Sequence, residues 1–413
     1  MECERADPSC LRTRILAWAR FVLFTLVAIV IWKMRSKGVQ DALIWLTFLY
    51  SLRKARAGMK IWMNAAGIAF LAVFGYMLLS MLWSVDRAGS ARDLVKNLDI
   101  AALAFVIPAL FASRKGAEAL LLYSASGFAC ILGYDLVRMA VHLRGNLLVG
   151  AHAFEPFILV HCNVAAMAAG AAFMVFLYFA WTWRRNGWRL AGCILGALVT
   201  LAYEYVIASR GPQVAFAVAL ASSGFILLPG WRAKSIWLGL VIIGGLVLVA
   251  GLGRINPRFL DKASMRGFTG RDVVWKHTLT LSREHPLLGY GYGKPVFTRV
   301  YRESNPPKSQ FEFAHPHQYW LYVLFAQGWL GVAIHATAWI LLLARLLRNI
   351  FARTTFTDRF LPGLVLLLLI FIHVYSLADW PSTLVHMMLA WLVPVGLIVT
   401  QVELDPKQAA GAA

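Results

Sequence analysis

Acidic residues are scarce in this chain, 20 against 40 Lys and Arg in 413 positions, and charged residues of both signs make up only 15%. With 60% hydrophobic residues and 16 tryptophans, that composition excludes a soluble globular class. Cysteine is thin as well. The five present (Cys3, Cys10, Cys130, Cys162, Cys193) show no CxxC or Cys/His metal spacing, and three of them fall in apolar runs. That pattern rules out a disulfide framework and reads as small buried hydrophobes. No acidic metal-binding motif stands in any loop assigned below to the outer side, and no internal repeat marks a transporter built from two related halves.

What the chain does have is a succession of apolar runs of about 20 residues, separated by connectors of 4 to 15, the lengths expected of helices that cross a bilayer. One all-α polytopic bundle follows, with candidate spans at 15–32, 40–52, 62–84, 98–112, 119–139, 154–182, 190–209, 212–229, 235–253, 318–344, 360–378 and 383–402. The first run, flanked by Arg and Lys33 and lacking a small-residue cleavage pattern, reads as a retained anchor. About 12 spans put both termini on one side. The connectors Arg53–Lys60, Ser113–Glu118, Arg184–Arg189, Trp231–Lys234 and Arg345–Arg359 then share that side, and each carries at least two basic residues, the mark of the cytoplasm. Lys33–Lys37 dissents, with three basic residues on the outer side. The net charge of +20 is explained in part by this connector bias.

One stretch breaks the pattern. Residues Arg254 to His317 are polar over 64 positions, with eleven Lys/Arg against five carboxylates, a net +6, and four histidines. Long irregular loops concentrate function, and long loops cross membranes largely regardless of charge, so this one faces outward, which in a bacterium is the periplasm. The chain thus divides into spans one to nine (1–253), a periplasmic loop (254–317) where function is expected, and spans ten to twelve with a short cytoplasmic tail (318–413). A basic loop at a membrane surface implies an anionic ligand.

Four elements carry candidate chemistry. Arg210, in Ser209-Arg210-Gly211-Pro212, stands at an outward hairpin where Gly-Pro breaks the helix; it is either a snorkelling arginine or a fork held ready for phosphate. Thr269 and Asp272 fit a capping box, so a helix should run to about Glu284 with Pro286 just beyond. Arg271 sits in its first turn beside amides that favour anions, and Trp275 lies one turn on; the alternative is a surface helix packing Val274, Thr278 and Leu281 on the membrane domain. Gly289-Tyr290-Gly291-Tyr292-Gly293-Lys294 could form a backbone nest for phosphate, although it fits neither the dinucleotide nor the P-loop fingerprint. Finally, Ala314-His315-Pro316-His317-Gln318 places two histidines at the membrane edge, suited to proton transfer near neutrality. A metal pair there would need more ligands than the surroundings provide. His161, His335, His373 and His386 lie within spans and read as core histidines.

Taken in order, the Arg-Gly turn, a loop with a G-R-x-x-x-W helix and a P-L-x-G-x-G turn, and an H-Q-x-x-L span bearing Gly328 and Gly331 resemble the O-antigen ligase and O-antigen polymerase superfamily. Trp83-Ser84-Val85-Asp86 adds to the likeness, which covers roughly 80–335; Gln318 and Gln327 depart from the usual Asn and Glu. The resemblance implies an inverting, metal-independent glycosyltransferase of the bacterial inner membrane, without cofactor, whose active site faces the periplasm. Its donor would be an undecaprenyl-pyrophosphate-linked glycan and its acceptor the lipid A-core, among membrane lipids and with no nucleic acid. On that reading His317, Arg210 and Arg271 are catalytic, and His315, Trp275, Gln318, Lys294 and Tyr292 meet substrate. The basic loop favours the ligase branch, because lipopolysaccharide core is rich in phosphate and acidic sugars. An O-antigen polymerase joining lipid-linked repeats is the nearest alternative. A protein O-oligosaccharyltransferase would carry a larger C-terminal region, and a flippase of an anionic lipid-linked glycan would want ionisable residues deep in several spans.

Overall fold

Apolar residues all around the long helices leave no polar face for water, and only intrahelical bonding satisfies such backbones in lipid. The protein is accordingly all-α. The computed structural model describes residues 37–143, 162–207, 209–228, 230–255, 271–306, 313–353, 356–378 and 391–402, and no strand occurs among them. In chain order the helices are α1 (Lys37–Ser51), α2 (Ala55–Trp62), α3 (Ala65–Leu79), α4 (Arg87–Lys96), α5 (Leu98–Leu110), α6 (Arg114–Leu143), α7 (Cys162–Thr182) and α8 (Gly187–Ile207). They continue with α9 (Arg210–Leu227), α10 (Trp231–Ile255), α11 (Arg271–Ser282), α12 (Lys294–Glu303), α13 (Tyr319–Phe351), α14 (Phe356–Ala378) and α15 (Val393–Val402). Six stretches among the described residues are long and apolar enough to span a bilayer: Ala65–Leu82, Arg114–Leu143, Cys162–Thr182, Gly187–Ile207, Tyr319–Phe351 and Asp358–Leu377. The chain is a polytopic membrane protein. The expected span 15–32, and the outer parts of those at 154–182 and 383–402, lie outside the described residues.

Small side chains set the packing. Helix α7 presents Ala165, Ala166, Ala168, Ala169 and Ala171, all buried, so that α6, α8, α9 and α14 can approach its backbone closely, the usual device where lipid removes the hydrophobic drive between helices. Two connectors depart from the sequence reading. Arg53–Lys60, expected to be a simple loop, is mostly the short helix α2, which buries Gly58, Ile61 and Trp62 and exposes its basic residues. Arg345–Arg359 is largely absorbed into the helices on either side: α13 continues to Phe351, because Ala344-Arg345-Leu346-Leu347-Arg348 is strongly helix-forming, and α14 starts at Phe356.

Helix α13 is not continuous. Gly328 adopts φ 64°, ψ −168° in its interior, and the bonding groups released there are taken up by the chain around Pro286–Gly291. Trp329 and Leu330 donate to the carbonyls of Pro286 and Leu287 at 2.8 and 3.2 Å, while Tyr290 and Gly291 donate to those of Phe325 and Ala326, each at 2.9 Å. The segment after α3 closes the clasp. Trp83 donates its indole N–H to the Leu288 carbonyl at 3.0 Å, Val85 donates its amide to that of Tyr290 at 3.1 Å, and Asp86 caps α4 through the Gly89 amide. The P-L-x-G-x-G turn, the Trp83–Asp86 motif and the Gly328/Gly331 pattern are thus three sides of one structure.

A side chain at position 328 would need the left-handed region, and its Cβ would lie 2.2 Å from the Leu287 carbonyl oxygen. Strain and overlap together make Gly328→Ala destabilising by roughly 2–5 kcal/mol. The expected result is a lower thermal midpoint of the purified protein in detergent; an unchanged midpoint would show that the break is not structurally required.

Candidate active site

Helix α11 is described over Arg271–Ser282, its end two residues short of the Glu284 read from the sequence; Thr269 of the expected capping box lies outside the described residues. Its buried face is Val274, Thr278, Leu281 and Ser282, packed toward α13. This leaves Trp275 beside the turn that leads into α13. The Trp275 indole N–H donates to the Pro316 carbonyl at 2.8 Å, so the helix that carries Arg271 is tied to the peptide between the two histidines. Arg271 itself is half-buried and lies one turn, about 6 Å of rise, from Trp275.

Within the turn, the His317 amide donates to Nδ1 of His315 at 3.2 Å. Nδ1 of His315 is therefore the acceptor, and its neutral ring carries the proton on Nε2. The two imidazoles lie 4.0 Å apart between centroids. His317 has φ 54°, a left-handed conformation uncommon for a residue with a side chain and enriched where function holds the backbone in place. Gln318 caps α13 by accepting the Leu321 amide on its side-chain oxygen. Phe313 stands edge-on to His317 at 5.8 Å and to Tyr301 of α12 at 6.5 Å. Tyr301 in turn meets His277 of α11 at 5.2 Å, and His277 Nε2 donates to Ser304 Oγ at 2.6 Å, whose own proton goes to the Tyr301 carbonyl. Burial lowers the His277 pKa, with Glu284 pulling the other way.

Arg210 is placed by other helices. It is half-buried at the start of α9, after Ser209, whose hydroxyl donates to Asn163 Oδ1 at 2.8 Å. Positions 211 and 227 of α9 pack on Tyr375 and Gly363 of α14, so the two helices run antiparallel and Arg210 sits by the last turns of α14. Since α14 returns along α13, that is the end of the bundle where the histidine turn begins.

A family model described as O-antigen ligase matches residues 198–336, from the end of α8 through Arg210, α11 and the histidine turn to Gly331. The O-antigen ligase of Pseudomonas aeruginosa PAO1 is 31% identical over 301 residues, covering 71% of this chain and 68% of that protein. The chain belongs to the O-antigen ligase family. The O-antigen ligase of Salmonella typhimurium LT2 is 30% identical over a shorter stretch of 175 residues, 39% of this chain and 42% of that one.

Family membership leaves the individual side chains to be placed by geometry, and several differ from expectation. The Gly289–Lys294 turn is not an open phosphate nest. All six of its amides are engaged by protein acceptors: His285, Phe325 and Ala326 carbonyls, Ser80 Oγ, the Tyr322 hydroxyl and Asp93 Oδ2. Tyr292 is buried in this clasp, edge-on to Tyr322 at 6.2 Å, and burial raises its pKa. Lys294 is exposed at the start of α12. Trp275 and Gln318, assigned from sequence to substrate, make the bonds that hold the histidine turn. His335 is a core histidine: it bonds Tyr319 through Nδ1 and Gln327 Oε1 through Nε2 at 3.1 Å. Sequence reasoning missed the Asn163–Ser209 bond and the break at Gly328. An isolated glycine in a long apolar run was the one available signal for the second. Among the described residues no group of His, Cys, Asp and Glu is arranged to hold a metal ion.

Proposed function

We propose that the protein ligates O-antigen glycan to the lipid A-core, taking the glycan from undecaprenyl pyrophosphate at the periplasmic face of the bacterial inner membrane. The observation that carries the reading is the bond from Trp275 to Pro316, which places Arg271, at the head of its helix, beside a turn holding two histidines, inside the stretch matched by the family model. Residues 254–317 form the catalytic loop between the two sets of spans.

In the reaction, a hydroxyl of the acceptor sugar attacks the anomeric carbon from the face opposite the pyrophosphate. The new C–O bond forms as the bond to the phosphate oxygen breaks, and the electron pair leaves on undecaprenyl pyrophosphate, inverting the centre. His317 takes the hydroxyl proton as general base. Arg210 and Arg271 meet the growing negative charge with planar forks that match phosphate oxygens. His315, with its proton on Nε2, can donate to a substrate oxygen while its Nδ1 keeps the His317 amide in place. Fixed cations perform the charge stabilisation that a divalent ion would otherwise supply, so the reaction is metal-independent.

Purified protein given lipid-linked donor and core acceptor should form the ligated product at an undiminished rate in excess chelator. Activity lost on chelation and restored by a divalent cation would overturn the mechanism. Failure to ligate while joining lipid-linked repeats to each other would overturn the ligase assignment.

A further inference from the structure

At the end of the bundle away from the histidine turn, four segments meet around Asn64. Its Oδ1 caps α3 by accepting the Ala66 and Gly67 amides at 3.1 and 3.2 Å and also accepts from Nη1 of Arg345 at 3.0 Å. Its Nδ2 donates to the Ile61 carbonyl at 2.6 Å. Gln401, near the end of α15, donates to the Lys60 and Ile61 carbonyls, and Asn349 of α13 donates to that of Thr400. The last turns of α13, the ends of α2 and α15 and the start of α3 therefore form one contiguous region. From Tyr319 to Arg345 is 26 residues, roughly 39 Å of helix rise, so this region is remote from the proposed chemistry.

The described residues of this region gather positive charge. Arg345 and Arg348 lie three apart on α13, Arg56 and Lys60 four apart on α2, and none of these four makes an ion pair among the described residues. Arg345 is held at the N-terminus of α3, the positive end of that helix. Its Nε is buried and has no hydrogen-bond partner among the described residues. A snorkelling arginine would keep those donors in water; a buried donor left unmet calls for an occupant.

We infer that Arg345, with Arg348 and Lys60 beside it, binds the phosphate of an anionic phospholipid headgroup on the cytoplasmic side. A phosphate diester supplies oxygens for the planar guanidinium fork and balances the like charges. A lipid, rather than a soluble anion, is favoured by the exposed Met59, Met63, Leu347 and Phe351 around the cluster, which offer contact to acyl chains. Anionic headgroups are concentrated in the leaflet toward which the basic connectors point.

The test uses the full chain in neutral detergent, with short-chain phosphatidylglycerol, phosphatidylcholine of the same chain length, or inorganic phosphate, read by native mass spectrometry and thermal midpoint. Phosphatidylglycerol should bind and raise the midpoint, and the other two should not. Arg345→Gln combined with Arg348→Gln should weaken phosphatidylglycerol binding by about tenfold or more. Arg184→Gln, which removes a cation from the α7–α8 connector, should leave it unchanged. If the double variant does not fold, the exposed single change Arg348→Gln should still reduce binding. Equal binding by phosphatidylcholine, or undiminished phosphatidylglycerol binding in either variant, overturns the site. A midpoint shift with inorganic phosphate that the lipid does not exceed overturns the lipid assignment.

Discussion

Replacing His317 by Ala should lower glycan transfer by about 100-fold or more while leaving donor binding nearly intact. The expectation rests on how firmly the residue is mounted. Its peptide neighbours are held by Trp275 on the Pro316 carbonyl, by the Gln318 cap and by His315 Nδ1 on its own amide. General-base catalysis depends on a hydrogen-bond distance that such fixing maintains. His315→Ala should cost less, because it removes one bond from the turn and leaves the base. Turnover and donor affinity, measured separately on purified variants, decide between the roles. A dead His315→Ala beside a near-native His317→Ala would exchange them, and two active variants would move the acceptor's activation to another group.

Changing Arg210 or Arg271 to Lys should reduce turnover on the order of 100-fold, even though the charge is retained. An ammonium is a point charge on a flexible stem, whereas a leaving pyrophosphate presents oxygens that two planar forks can meet together. The loss should appear mainly in kcat, since the negative charge grows as the sugar–phosphate bond breaks. Thermal midpoints should stay close to native for both, because each residue is half-buried at the head of a helix rather than in its core. If either Lys variant works at half the native rate, that arginine is not a pyrophosphate fork. The two must also reach one substrate: spectroscopic labels at 210 and 271 farther apart than about 15 Å in the donor-bound protein would separate their roles, a donor pyrophosphate being too short to bridge them.

Much of the framework was readable from local signals. The end of α11 followed from Pro286 just beyond it, and the turn before Arg210 from Gly-Pro, although Gly211 and Pro212 themselves lie in the first turn of α9; both were legible because turn chemistry acts within a few residues. The Val274, Thr278 and Leu281 face was visible as helical periodicity. The glycine turn misled because amide partners are a tertiary fact: Gly289 to Lys294 resembles an open nest until Phe325, Ala326 and Asp93 are brought to it. Gly328 gave only a weak signal for a related reason, since a glycine within an apolar helix is commonly tolerated and only the clasp shows that it must break the helix. Trp275 looked like a ligand contact because aromatics often are; its bond to a carbonyl 41 positions onward leaves no trace in spacing.

The clasp also sets an order of events during synthesis. Its three segments, 83–90, 285–294 and 325–330, are joined by bonds spanning up to 205 positions. Emerging residues 271–306 therefore meet the 80–93 side of the clasp already made, but not the 325–330 side until the first third of α13 has followed them. Up to that moment the segment is fastened on one side only, and its 285–291 turn is open to proteases. Chains truncated before residue 325 should be clipped between 283 and 293, and chains extending past 331 should resist, so that completion of one half-helix decides whether the loop survives.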